Sequence, residues 1–178
     1  MLYFAYGSNL NLKAMKHRCP AAKPVSAARL DGYRLQFQTY CAAVPDPTKS
    51  VPGAIFDLTP ACVRALDLYE GDDYRQITLR VTRLDTGEMV EAMAYEKISP
   101  GKVAPPTMDY VREVTIGYRD WKLDEQILRR ARYDVLAIAA ETPAAPAATP
   151  PPTKPRRGLW DPAENLRGAI DDVLKRPR

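Results

Sequence analysis

The spacing of apolar and polar positions divides this chain into short strands and amphipathic helices. Over residues 33–40, Tyr33, Leu35 and Phe37 fall on one face and Arg34, Gln36 and Gln38 on the other, the period-two alternation of a half-buried antiparallel strand. In residues 74–84, Tyr74, Gln76, Thr78 and Arg80 alternate with Arg75, Ile77, Leu79 and Val81. Residues 89–95 follow across Asp85-Thr86-Gly87, which predicts a hairpin. Residues 25–30 and 33–40 flank Asp31-Gly32, a pair suited to a two-residue turn, so a second hairpin is expected there. Residues 2–6 form an apolar aromatic run that favours a strand, residues 53–58 read as another, and the proline-rich residues 45–52 read as loop.

Helix signals fill the remainder. The first strand stops at Gly7-Ser8-Asn9, after which Asn9 or Asn11 caps a short helix through Leu12, Met15 and Lys16. Thr59 and Pro60 provide a cap and a first-turn proline for a helix through Val63 and Leu66 that Gly71 stops, setting Glu70 at the helix end. Thr107 caps a helix through Tyr110, Val111, Val114 and Ile116, which Gly117 is expected to end or kink. Ile127, Leu128, Ala131, Val135 and Ile138 recur at helical spacing over residues 123–139. Three segments are expected: a folded domain over 1–140, a Pro/Ala-rich disordered linker over 141–155, and a basic tail over 156–178 with a short amphipathic helix. Trp160 gives that tail a means of docking on the domain or on another protein, and a loosely helical segment is the third option.

Composition narrows the chemistry. With 178 residues, 46% hydrophobic and 27% charged, the chain suits one soluble domain and is too short for two ordinary ones. No apolar run is long enough to span a bilayer and no secretory leader is recognisable, so no membrane partner is expected and the default location is cytoplasmic. The net charge is +4. The late basic residues are interrupted by Asp161, Glu164, Asp171 and Asp172 and lack interleaved aromatics, which argues against nucleic acid. Cys19, Cys41 and Cys62 form no Cys-x-x-Cys pair and read as small buried thiols. The one histidine, His17, lies in a basic helical stretch with Lys13, Lys16 and Arg18. Neither a metal nor another cofactor is expected, and a carboxylate is the natural carrier of any chemistry.

One corner can bind an anion or carbonyl: the main-chain N–H groups of Gly7, Ser8, Asn9 and Leu10 at a strand-loop-helix junction. Tyr6-Gly7-Ser8-Asn9-Leu10 is followed by Leu66-Asp67-Leu68-Tyr69-Glu70-Gly71 and then by Pro105-Pro106-Thr107-Met108-Asp109-Tyr110. These three motifs, in this order over residues 2–136, resemble the γ-glutamylcyclotransferase family, which includes the AIG2-like proteins. The resemblance implies an α+β fold, a small antiparallel or mixed β-barrel flanked by helices. It implies a metal-free cyclisation of a γ-glutamyl amide or amine to 5-oxoproline, with Glu70 as general acid/base. Tyr6, Gly7, Ser8, Asn9 and Leu10 would bind the substrate, Tyr110 by motif and Tyr74 by its position shortly after Glu70. The implied partner is a small γ-glutamyl molecule, and the Pro-rich tail departs from a minimal member of the family. A non-catalytic binding or adaptor module that uses the same pocket and the tail is the alternative.

Overall fold

The computed structural model describes residues 1–99 and 101–141. The expected linker and tail lie outside the described residues, apart from Glu141 at the end of the last helix. Five strands, β1 (Leu2–Ala5), β2 (Lys23–Gln38), β3 (Tyr40–Asp57), β4 (Tyr74–Arg83) and β5 (Met89–Lys97), close a barrel in the order β1-β3-β2-β4-β5. Neighbours run antiparallel except at closure, where β1 lies parallel to β5 with Tyr3 opposite Met93. The barrel is therefore mixed, as the resemblance implied. The closing contacts are short: β1 meets β5 at one residue pair, and β2 meets β4 at Ala28–Arg83 and Arg29–Thr82.

Four helices flank it: α1 (Leu12–Arg18), α2 (Pro60–Glu70), α3 (Met108–Asp120) and α4 (Glu125–Glu141). Asn11 rather than Asn9 caps α1, its side chain accepting from Ala14 N–H at 3.1 Å. Thr59 caps α2 by accepting from Cys62 N–H, and Thr107 caps α3 by accepting from Tyr110 N–H, both at 3.3 Å. Each such cap satisfies a donor that the first helical turn leaves over, worth about 1 kcal/mol. Gly71 ends α2 with φ of 69°, a left-handed conformation that costs a glycine little. On α4, Leu128, Ala131 and Val135 are buried, whereas Ile138 at the same spacing is exposed. The core is built on Phe4, Phe37, Ile55, Phe56, Val51 and Val81 from the strands, met by Leu10, Met15, Leu66, Val114 and Tyr118 from the helical side. The three cysteines are buried and reduced, and His17 is exposed on α1.

Three expectations are corrected. Asp31-Gly32 is no hairpin turn: β2 runs through it, and the chain reverses at Thr39, whose φ is 67°. Gly32, with φ of 81°, marks a bulge at which the register jumps from Asp31 opposite Ser50 to Tyr33 opposite Pro45. Residues 45–52, expected as loop, belong to β3, and the extra residues between Pro45 and Ser50 bow out opposite Gly32. Asp46 braces that excursion by accepting from Thr48 N–H at 3.0 Å and Thr48 Oγ1 at 2.8 Å. Gly117 does not end α3, which runs on to Asp120; it lies where that helix meets the Gly7–Asn11 turn.

Candidate active site

The three sequence motifs converge at one end of the barrel. β1 delivers Tyr6 and Gly7 there, the last turn of α2 delivers Glu70, β4 begins there with Tyr74, and β3 begins there with Tyr40 and Cys41. The Gly7–Asn11 segment is a single 3-10 turn in which Leu10 N–H donates to the Gly7 carbonyl at 3.0 Å and Asn11 N–H to the Ser8 carbonyl at 3.3 Å. This corrects one expectation: the Leu10 N–H closes the turn instead of facing a ligand, and the Leu10 side chain is wholly buried. Trp121 Nε1 donates to the Leu10 carbonyl at 2.9 Å, and Leu12 N–H donates to Asp120 Oδ2 at 2.9 Å, so α3 anchors the turn from behind.

Gly7 admits close contact. A Cβ there would lie 3.0 Å from the Tyr110 hydroxyl and 3.6 Å from Cys41 Cβ. Tyr110 comes from α3, and its hydroxyl accepts from Cys41 N–H at 3.1 Å while its ring meets that of Tyr40 edge-on, centroids 5.1 Å apart. The Pro-Pro-x-x-x-Tyr tyrosine thus sits directly against the first motif.

Asn9 carries the link to the second motif. It is 4% exposed, and its Nδ2 donates both to Glu70 Oε1 at 3.1 Å and to the Tyr3 hydroxyl at 2.9 Å. Its Oδ1 accepts from Arg18 Nη1 at 2.9 Å, so the amide is satisfied at both ends, as a buried polar group must be. Around Glu70 lies a ring of phenols. Tyr6 donates to the Tyr95 carbonyl at 2.9 Å and Tyr95 donates to Asp67 Oδ1 at 2.7 Å, which Gln76 Nε2 also reaches at 2.7 Å. An open cleft of about 340 Å³ lined by Asp67, Gly71, Asp72, Tyr74, Gln76, Tyr95 and Ile98 adjoins this ring. A larger groove of about 1270 Å³, between the β2–β3 bulge and α4, is lined by none of the motif residues.

The electrostatics keep these phenols protonated. Burial raises the ionisation of Tyr3, Tyr6, Tyr74 and Tyr95 above the ordinary tyrosine value of 10.0, and the Glu70 carboxylate adds to the rise in each case. Tyr110 is raised by burial and by neighbouring Cys41, whose own thiol burial pushes up to about 12. The site therefore combines the carboxyl groups of Glu70 and Asp67, phenols that stay neutral at neutral pH, and a main-chain turn. Such a set can orient a polar head group and move a proton.

Of the residues expected from sequence, Tyr6, Gly7, Asn9, Glu70, Tyr74 and Tyr110 are brought together, with Ser8 in the same turn and Leu10 serving its closure. Tyr3, Arg18, Asp67, Tyr95 and Glu113 also belong to the network and were not expected in it. Tyr3 shares a strand face with Ala5, and Asp67 lies inside the second motif, so these two had a signal in the sequence. The other three depend on how α1, α3 and β5 pack.

The family model described as gamma-glutamyl cyclotransferase, AIG2-like matches residues 3–123. Comparison with curated proteins gives no significant match. A solved structure named gamma-glutamyl cyclotransferase has a TM-score of 0.65 at 22% identity, covering 98% of each chain. An uncharacterized protein from Homo sapiens has a TM-score of 0.63 at 22% identity, again over 98% of each chain. A yeast gamma-glutamyl cyclotransferase specific to glutathione has a TM-score of 0.55 at 12% identity, covering 77% of this chain and 96% of that one. At these identities the likeness is one of fold.

Proposed function

This chain belongs to the gamma-glutamyl cyclotransferase, AIG2-like family, and from that footing we propose that it cyclises a γ-glutamyl amide or amine to 5-oxoproline and releases the amine, with Glu70 as general acid/base. The observation that carries this reading is the Asn9 Nδ2 to Glu70 Oε1 hydrogen bond of 3.1 Å, which joins the substrate loop to the carboxylate.

The reaction balances with one carboxylate. Glu70 takes a proton from the substrate α-ammonium, the freed amine attacks the γ-carbonyl carbon, and a five-membered ring closes through a tetrahedral oxyanion. The bond from that carbon to the leaving nitrogen then breaks as the protonated Glu70 returns its proton to the amine. The ring nitrogen, which still carries two hydrogens after the attack, gives one up through the freed Glu70 carboxylate to the amine, which departs as the ammonium. Since nucleophile and electrophile belong to one molecule, the site's work is to fold the substrate and to stabilise charge. The main-chain N–H groups of Gly7 and Ser8 are suited to the oxyanion, each such donor being worth about 3 kcal/mol when aimed at developing charge. Tyr6, Tyr74 and Tyr110, held neutral, would orient the γ-glutamyl head.

The test is 5-oxoproline release from a panel of γ-glutamyl amino acids, γ-glutamylamines and glutathione, by the wild type and by Glu70→Gln. Release by the wild type that falls about 10²- to 10⁴-fold in a folded Glu70→Gln protein is expected. A Glu70→Gln variant as active as the wild type would overturn the assignment of Glu70.

A further inference from the structure

An asparagine amide is ambiguous, since exchanging its oxygen and nitrogen reverses the polarity it presents. At Asn9 the choice matters, because the end that faces Glu70 Oε1 at 3.1 Å either donates to the carboxylate or repels it. The opposite end of the amide decides. Asn9 Oδ1 lies 2.9 Å from Arg18 Nη1, and a guanidinium carries only donors and stays charged throughout the ordinary pH range. One orientation alone pairs Asn9 with both neighbours.

Arg18 is itself held from several sides. It is the last residue of α1, its side chain is 16% exposed, and its Nη2 donates to Glu113 Oε1 of α3 at 2.8 Å. Its Nη1 also reaches the Ser8 carbonyl at 3.4 Å. The guanidinium lies over the ring of Tyr69, 4.2 Å from the centroid, and Tyr69 is the residue before Glu70 on α2. A planar fork with several donors can meet the loop, α2 and α3 together, where a lysine's point charge cannot.

We infer that Arg18 is a positioning residue that acts through Asn9, fixing the amide so that its NH2 group faces Glu70 and holding the substrate loop, α2 and α3 in one arrangement, with Glu113 and Tyr69 as its supports. This inference rests on the reading of Glu70 as the acid/base.

The experiment uses the full chain with Arg18→Met, Arg18→Lys, Asn9→Ala and the Asn9→Ala/Arg18→Met double variant, each first checked for cooperative unfolding. With a substrate that the wild type turns over, Arg18→Met is expected to lower kcat about 10- to 100-fold while KM changes by about twofold or less. Arg18→Lys, which keeps the charge and the stem but loses the fork, falls between the two. In the Asn9→Ala background the same Arg18→Met change costs no more than about threefold, because the route through Asn9 is already gone. A kcat unchanged in Arg18→Met, or a loss equally large with and without Asn9, would overturn the inference. A second readout needs no turnover: in ¹⁵N spectra the Asn9 side-chain amide protons of the wild type are expected to be shifted by their bonds to Glu70 and Tyr3 and slow to exchange, and in Arg18→Met to move to solvent-like shifts. If the wild type releases no 5-oxoproline from any panel member, the cyclotransferase reading fails, and an Asn9 amide signal unaltered by Arg18→Met independently overturns the positioning role.

Discussion

Gly7 shows how little room separates the Gly7–Asn11 turn from Tyr110 and Cys41. Its φ of −122° lies outside the left-handed region, and the first thing an added side chain meets is the Tyr110 hydroxyl. A methyl group there would press on the Tyr110 hydroxyl, which is fixed by Cys41 N–H at 3.1 Å and must yield by a few tenths of an ångström. Gly7→Ala is expected to lower stability by about 0.5–1.5 kcal/mol, the worth of the hydrogen bond it disturbs, as read from urea unfolding. In a Tyr110→Phe background, where the hydroxyl is absent, the cost of Gly7→Ala should largely vanish; an undiminished cost would show that the contact is not the cause. Tyr6, Gly7, Asn9, Glu70, Tyr74 and Tyr110 were legible in the sequence because each stands in or beside a motif. Arg18 and Glu113 were not, since they lie far apart in the chain and only the docking of α1 against α3 gives the 2.8 Å pair meaning.

At the scale of elements, α3 is the rear wall of the Gly7–Asn11 turn, and Gly117 is where the two touch. Alanine is favoured over glycine within a helix by about 1 kcal/mol, so propensity alone predicts that Gly117→Ala stabilises. Packing reverses the sign: an added Cβ would collide with Leu10 Cβ and would lie 2.7 Å from Asn11 N. Overpacking of this kind costs about 1–3 kcal/mol, so Gly117→Ala is expected to lower the melting temperature and, by displacing the Gly7–Asn11 turn, to reduce activity as well. A variant more stable than the wild type would mean that α3 can shift away without penalty. The same conflict between local and tertiary preference explains the misread elements. Gly32 and Gly117 are typical turn or stop residues, yet Gly32 supplies a bulge inside β2 and Gly117 a close helix contact. Pro45 and Pro52 read as loop, whereas the long β2–β3 pairing carries them within a strand, opposite Tyr33 and Arg29. The Thr59 and Thr107 caps and the Gly71 stop, which depend only on residues a few positions away, were read correctly.

Across the molecule as a whole, the packing of helices on the barrel buries several phenols and thiols, and this gives the fold a predictable sensitivity to alkali. Tyr3, Tyr6, Tyr74, Tyr95, Tyr110 and Tyr118 all ionise above the ordinary 10.0 because burial penalises their charged form. Cys19 and Cys41 rise from the ordinary 9.0 to about 12 for the same reason. Well below the ordinary thiol value of 9.0 the folded and unfolded chains hold the same protons on these groups, and their contribution to stability is complete. As pH rises from there, the unfolded chain releases protons that the folded chain retains. The unfolded state then binds fewer, and the free energy of unfolding falls with pH, first through the thiols and above pH 10 through the phenols. The urea midpoint is therefore expected to decline steadily between about pH 9 and pH 11, with the rise in tyrosinate absorbance of the buried phenols coinciding with the loss of circular dichroism. Complete tyrosine ionisation in a chain whose circular dichroism is intact would show that these phenols are reached by water in the folded state, and the ring of neutral donors around Glu70 would have to be abandoned.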